Sequence, residues 1–334
     1  MSASPHPAPQ PPSHHPALAE PPSARFELLT SHLVVALVAL VVIGGATRVM
    51  EAGLACPDWP LCYGQWLPGG RMNLQVFLEW FHRLDAFVVG VALLVLSAAS
   101  WVGRRRLPAW LPWSAGAALL LVAVQGALGA LTVTQLLAPG LVTAHLGTAL
   151  LLVALLSGVH QALERSRQQA PSALPRNALP LWWRSLSLLA LVMVLGQCLL
   201  GGSLASQWAA ERCLAAAEGC QWLLRHRLAA TPAALAVILL VPAALALPAR
   251  ERHLRAFAAL AALLVVAQVA LGVSTLRLQL AVPAVTVAHQ FTAALLVALL
   301  GAAAGRSLAP GPQVQSPATA PASAFPTSLD SAHG

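Results

Sequence analysis

The chain has 334 residues, of which 58% are hydrophobic and only 9% charged, with a mean hydropathy of +0.72; ordinary soluble domains carry roughly 25% charged residues. Its net charge of +8 and pI near 10.8 come from arginines clustered between apolar runs, which is the pattern of membrane loops rather than of a nucleic-acid surface. A water-soluble protein and a nucleic-acid partner are therefore excluded.

In chain order, residues 1–24 are rich in Pro, Ser, Ala and His and cannot form a packed core. They predict a disordered tail over 1–30. The basic, short-apolar, small-residue order of a cleaved signal peptide is absent, so the first apolar run reads as a retained helix. A spanning helix needs roughly 20 apolar residues, and eight runs qualify: 31–50, 76–101, 112–134, 139–160, 182–204, 222–247, 256–276 and 281–303. A polar linker, 161–181, separates the fourth from the fifth, and 304–334 reads as a second disordered tail. The expected fold is an all-α membrane protein of eight transmembrane helices, in two four-helix halves at 31–160 and 182–303. Gly44-Gly45, Gly201-Gly202, Pro232 and Pro242 interrupt the runs, which is tolerated where neighbouring helices satisfy the freed backbone.

Orientation follows from the loops. Arg25, Arg104, Arg105, Arg106, Arg165, Arg167, Arg176, Arg250, Arg252, Arg255 and Arg306 all fall on one face. Glu51, Asp58, Glu211 and Glu218 fall on the other, with Arg48, Arg71, Arg83, Arg225, Arg227 and Arg277 as exceptions to the bias. The positive-inside rule then puts both termini, and both tails, in the cytoplasm.

The halves repeat. Gln125-Gly-Ala-Leu-Gly129 in the third run matches Gln268-Val-Ala-Leu-Gly272 in the seventh. His145 and His289 begin similar stretches in the fourth and eighth. Trp80-Phe-His82-Arg83-Leu84 in the second matches Trp222 with His226-Arg227-Leu228 in the sixth. An even number of helices per repeat gives both halves the same orientation, and so an expected pseudo-two-fold axis along the membrane normal.

Of eleven histidines, His6, His14, His15 and His333 lie in the tails, and His32, His160 and His253 at the cytoplasmic ends. His82, His145, His226 and His289 remain, one each in the second, fourth, sixth and eighth runs, at matched depths. A single membrane histidine is ordinarily a hydrogen-bonded packing residue. Four at equivalent places in a repeat point instead to ligands, since neutral imidazole is the common protein ligand of heme iron and bundle cores present such ligands from facing helices. The pairs would be His82 with His145 and His226 with His289. Zinc fits poorly, because neither half clusters Cys or Asp at ligand spacing.

One carboxylate separates the halves. Glu79 is three residues before His82 and shares its helix face; Leu223 holds that place before His226. Glu79 is therefore either a reactive acid beside a ligand or the i, i+4 partner of Arg83. Arg83, Arg225 and Arg227 are candidates for heme propionates, or helix-end arginines that snorkel to the interface. Two cysteine pairs, Cys56 with Cys62 and Cys213 with Cys220, lie in loops on the oxidising side, where disulfides are permitted; stapling and redox activity are both open to them. Cys198 reads as a small packing residue.

Gly44-Gly-Ala-Thr-Arg48, Gly53-Leu-Ala-Cys-Pro-Asp-Trp-Pro-Leu-Cys-Tyr-Gly-Gln65 and Glu79-Trp-Phe-His-Arg83 closely resemble the heme A synthase family, and the similarity runs through His145, His226 and His289 over roughly 31–303. The resemblance implies oxidation of the C8 methyl of heme O to the formyl of heme A by two successive hydroxylations. It makes heme b the cofactor, on His226 and His289, and heme O the substrate, on His82 and His145, with Glu79 beside it as the catalytic acid. It matches Cys56 and Cys62 to a pair present in part of the family. The candidate partners are membrane lipid, heme O synthase, cytochrome oxidase assembly factors and further copies of the chain, in a bacterial cytoplasmic membrane. From the residues alone, a diheme electron-transfer cytochrome and a transporter built of parallel repeats stay open as alternatives.

Overall fold

The computed structural model describes residues 23–168, 179–206, 213 and 220–308. Arg176, Glu211, Glu218, residues 1–22 of the first expected tail, 169–178 of the linker and 309–334 of the second tail lie outside them. The described residues form eight long helices: α1 Ser23–Val49, α2 Leu74–Val102, α3 Leu111–Thr134, α4 Pro139–Gln168, α5 Leu181–Ser206, α6 Gln221–Leu245, α7 Arg252–Arg277 and α8 Pro283–Leu308. Each is long and apolar enough to cross a membrane, and no strand occurs among the described residues. A helix satisfies its own backbone polar groups, which is what lipid demands of a spanning segment.

Three boundaries differ most from expectation. α1 begins at Ser23 rather than 31, α4 continues past 160 to Gln168, and α8 continues past 303 to Leu308. Polar residues end an apolar run before they end a helix, provided they find partners. Here Glu27 pairs with Arg167 at 2.9 Å, and Nδ1 of His160 lies 3.2 Å from the Glu27 carbonyl. Arg165 donates to the Arg306 carbonyl at 2.9 Å, and the Trp183 indole donates to the Ser307 hydroxyl at 3.0 Å. These contacts gather the start of α1 and α5 and the ends of α4 and α8 on one face of the bundle. α6 is interrupted at Leu239, because Pro242 has no N–H to offer the Ile238 carbonyl.

α4 and α8 are the most buried helices and cross at the centre. The crossing is made of small residues. Gly301-Ala-Ala-Ala-Gly305 on α8 meets Ala154 and Gly158 on α4; a Cβ on Gly301 would lie 2.6 Å from the Ala154 carbonyl oxygen, and one on Gly305 would strike the Gly158 backbone. Lipid tails are as apolar as leucine, so close backbone approach rather than hydrophobicity holds such helices together. α1 and α3 pack on α4, and α5 and α7 on α8. α2 lies between α1 and α3, and α6 between α5 and α7.

α3 and α7 end in the same turn. Leu137 N–H donates to the Thr132 carbonyl at 2.8 Å, and Leu280 N–H to Thr275 at 3.1 Å, through left-handed residues Leu136, Leu137, Gln279 and Leu280. Such turns satisfy the last helix carbonyls. Pro139 and Pro283 then open the next helices with a fixed φ and no N–H to waste. The tight hairpins set His145 and His289 at the same depth in the two central helices.

Candidate functional site

The histidines meet in the expected pairs. His82 on α2 and His145 on α4 lie beside each other, with ring centroids 6.4 Å apart and ring planes at 74°. His226 on α6 and His289 on α8 lie close enough to interact electrostatically. Two imidazoles binding one metal ion from opposite sides through bonds of roughly 2 Å have centroids roughly 6 Å apart, so the first pair fits one metal between its rings. No group of three or more His, Cys, Asp or Glu that could hold a metal ion occurs among the described residues. Two facing imidazoles suit a heme, whose porphyrin supplies the other four ligands, better than a tetrahedral ion.

Each ring rests on a glycine of the preceding helix. A Cβ on Gly44, Gly129, Gly201 or Gly272 would fall 2.8, 3.3, 2.9 or 3.0 Å from Cε1 of His82, His145, His226 or His289 respectively. Glycine suits these places because the ring stands where a side chain would begin, most tightly at Gly44 and Gly201. The ring faces the carbonyl four residues before that glycine, from Leu40, Gln125, Gln197 or Gln268. The second glycine of each Gly-Gly pair admits the opposite half's central helix. Gly45 accommodates Gln290 of α8, and Gly202 accommodates Leu146 of α4, 2.9 Å from a built Cβ. The repeating unit of the site is thus a two-helix hairpin with glycine on the odd helix and histidine on the even one. The four-helix comparison showed only the Gln125/Gly129 and Gln268/Gly272 instances. Aligning hairpin on hairpin would have shown Leu40/Gly44 and Gln197/Gly201 as well.

Glu79 is buried and fully engaged. One carboxylate oxygen accepts from Cys56 N–H at 2.7 Å and the other from Arg83. Arg83 also donates to the carbonyls of Asp58 (2.6 Å), Leu61 (2.5 Å) and Cys56 (3.3 Å). Those four bonds use every N–H of its two terminal nitrogens. Its guanidinium therefore ties the Cys56–Cys62 loop to α2. That loop is closed by a disulfide between buried cysteines. Asp58 accepts from Tyr63 N–H (2.6 Å) and Gly64 N–H (2.8 Å); chiefly the Gly64 bond holds its carboxyl below the usual carboxylate range.

Arg225 is exposed, lies over the Trp222 ring at 5.1 Å and reaches Gln221. Arg227 is exposed too. Both stay available to a carboxylate near His226. Sequence reasoning passed over Arg48 as a site residue; it is one turn beyond Gly44 on the same face of α1 and half-buried, and its guanidinium has no hydrogen bond or ion pair to a described residue. Cys213 is joined to Cys220, and Cys198 is a free, half-buried thiol in α5.

Comparison with known proteins adds an independent observation. The family model described as cytochrome oxidase assembly protein, COX15-CtaA, matches residues 27–300. The heme A synthase of Rhizorhabdus wittichii is 29% identical over 333 residues, covering 84% of this chain and 94% of that protein. That of Sphingopyxis alaskensis is 29% identical over 331 residues, covering 81% and 89%. That of Shewanella oneidensis is 31% identical over 195 residues, covering 53% of this chain and 56% of that protein.

Proposed function

The chain belongs to the COX15-CtaA family of cytochrome oxidase assembly proteins, and from that premise we propose that it is a heme A synthase of the bacterial cytoplasmic membrane. Its substrate is heme O, bound in the α1–α4 half, and its resident cofactor is heme b, bound in the α5–α8 half. The observation that carries this reading is the facing pair His82 and His145, 6.4 Å between centroids, repeated by His226 and His289 with no acid equivalent to Glu79.

His82 on α2 and His145 on α4 would hold the substrate heme between them. His226 and His289 would hold heme b, which supplies one-electron redox chemistry when bound. The C8 methyl of heme O loses two C–H bonds in successive hydroxylations, and the resulting diol loses water to leave the formyl group, a four-electron oxidation overall. Glu79 sits one turn before His82, held in place by Arg83 and the Cys56 N–H. A carboxylate fixed there stabilises positive charge developing at the reacting carbon without reorganising. Arg48 joins Arg83 as a propionate candidate in this half, and Arg225 and Arg227 are the candidates in the other. Both termini face the cytoplasm, so the disulfide loops face the oxidising side. Heme O synthase stands upstream and oxidase assembly factors downstream.

Pigment extraction tests the reading. The purified protein should yield heme b together with heme O or heme A, and Glu79→Ala should keep heme b while losing conversion of heme O. A preparation without a heme absorption band overturns the reading.

A further inference from the structure

His82 has a second carboxylate on its side of α2. Asp85 follows it by three residues as Glu79 precedes it by three, so the ligand stands between two acids. In α6 the matching places around His226 hold Leu223 and Ala229, so both acids belong to the α1–α4 half alone. The two are engaged differently. Glu79 lies near the start of α2, with its oxygens taken by Cys56 N–H and Arg83. Asp85 is about 16 Å along α2 from Leu74, near the middle of a hydrocarbon layer roughly 30 Å thick. It is the deepest carboxylate in any described helix. It is half-buried, and its carboxyl has no hydrogen bond or ion pair to a described residue. Apart from His82, its neighbours one turn away on α2 are the apolar Phe81, Val88 and Val89.

A carboxylate at that depth is costly, and such groups face the bundle interior or mark a substrate path. What it lacks is a hydrogen-bond donor. Heme O brings one, a hydroxyl on the carbon that joins its farnesyl chain to the ring, where heme b has a vinyl group. The charges around His82 also sort the edges of the porphyrin. Arg48 is one turn beyond the Gly44 seat toward the disulfide loop, and Arg83 reaches into that loop; Asp85 is one turn from His82 in the opposite direction. Propionates are attracted to the first side and repelled from the second, and the hydroxyl is on a pyrrole ring that carries no propionate. We infer that Asp85 is a specificity residue, whose carboxylate accepts the hydrogen bond of the heme O hydroxyl and so selects heme O over heme b in the α1–α4 half. This rests on the heme-binding reading above and deepens it. A site built to bond a substrate hydroxyl rejects the analogue without one, because its own polar group is then left unpaired. Ala229, at the matching place beside His226, makes no such demand of heme b.

The test uses the full chain purified from cells that make no heme O, with heme b in the α5–α8 half, and titrates the other half with added heme by absorption. Asp85→Ala should weaken heme O binding by about 10–100-fold, the worth of a hydrogen bond to a charged group, and should not weaken binding of added heme b. Asp85→Asn keeps an acceptor oxygen and should lose less than Asp85→Ala. A carboxylate that merely lay against the apolar farnesyl chain would act in the opposite sense, and its removal would tighten heme O. The wild type supplies a measurement that no folding defect can blur: heme O with its hydroxyl methylated should bind about 10–100-fold more weakly than heme O itself, and Asp85→Ala should bind the two alike. Equal binding of heme O and its methyl ether by the wild type, or unchanged or tighter heme O binding by Asp85→Ala, overturns the inference alone. A wild type with no heme absorption overturns the heme reading and this inference with it.

Discussion

Replacing Glu79 by glutamine separates the carboxylate's charge from its shape. The native side chain takes one donor on each oxygen, Cys56 N–H and Arg83. The pair is largely dry, with side-chain exposures of 5% for Glu79 and 15% for Arg83. A glutamine amide presents one acceptor and one donor group, so one of the two incoming donors loses its partner, at a cost of about 1–3 kcal/mol. Breaking a fully buried ion pair costs about 3–5 kcal/mol, but Arg83 keeps its three carbonyl acceptors, so the lower end applies. Together these give about 3 kcal/mol against docking of the Cys56–Cys62 loop, or roughly a 100-fold rise in the undocked population. Hydrogen–deuterium exchange in nanodiscs reads this at the Cys56 amide, and the same preparations report heme b absorption and heme O turnover. Exchange should rise about 100-fold, turnover should fall, and the heme b spectrum should not move. Unchanged exchange at Cys56 refutes the loop-anchor argument, and unchanged turnover removes Glu79 from the chemistry.

The Asp58 carboxyl titrates below its ordinary value of 3.8, so its contribution to the loop is complete above that value and fades only as pH falls through the lower folded one. Loop protection measured by limited proteolysis should therefore persist as pH passes 3.8; opening at or above that value contradicts the assignment. Gly305→Ala forces a Cβ into the Gly158 backbone and should destabilise the bundle by about 1–3 kcal/mol, whereas Gly196→Ala, in open space, should stay within about 0.5 kcal/mol; thermal melts in detergent compare them, and equal melting temperatures would show that the α4–α8 crossing is looser than its geometry. Arg48→Gln should weaken heme O uptake by titration while sparing heme b, and equal affinities in variant and wild type would take Arg48 out of the binding site.

Much of this protein was legible without coordinates. Eight spans follow from hydropathy because lipid accepts only long apolar helices with internally satisfied backbones. The four histidines stood out because ionisable residues are costly at that depth, and their matched places in a repeat already paired His82 with His145 and His226 with His289. The small-residue segment Gly301–Gly305 was passed over in the sequence, and its partner on α4 was not legible at all, since a motif names one surface of a contact and not the other.

The chain by itself determined its class, its spans and which histidines stand at matched places in the repeat, because these depend on composition and on spacing along one helix. Only the tertiary structure decided where side chains that could serve several partners spend their bonds. Arg83 spends its terminal N–H groups on the disulfide loop and Glu79, and Gln125 takes Thr148. Such choices turn on donors and acceptors that lie far apart in sequence, such as the Cys56 amide beside Glu79, and a hydrogen bond goes to whichever group the packing brings within about 3 Å.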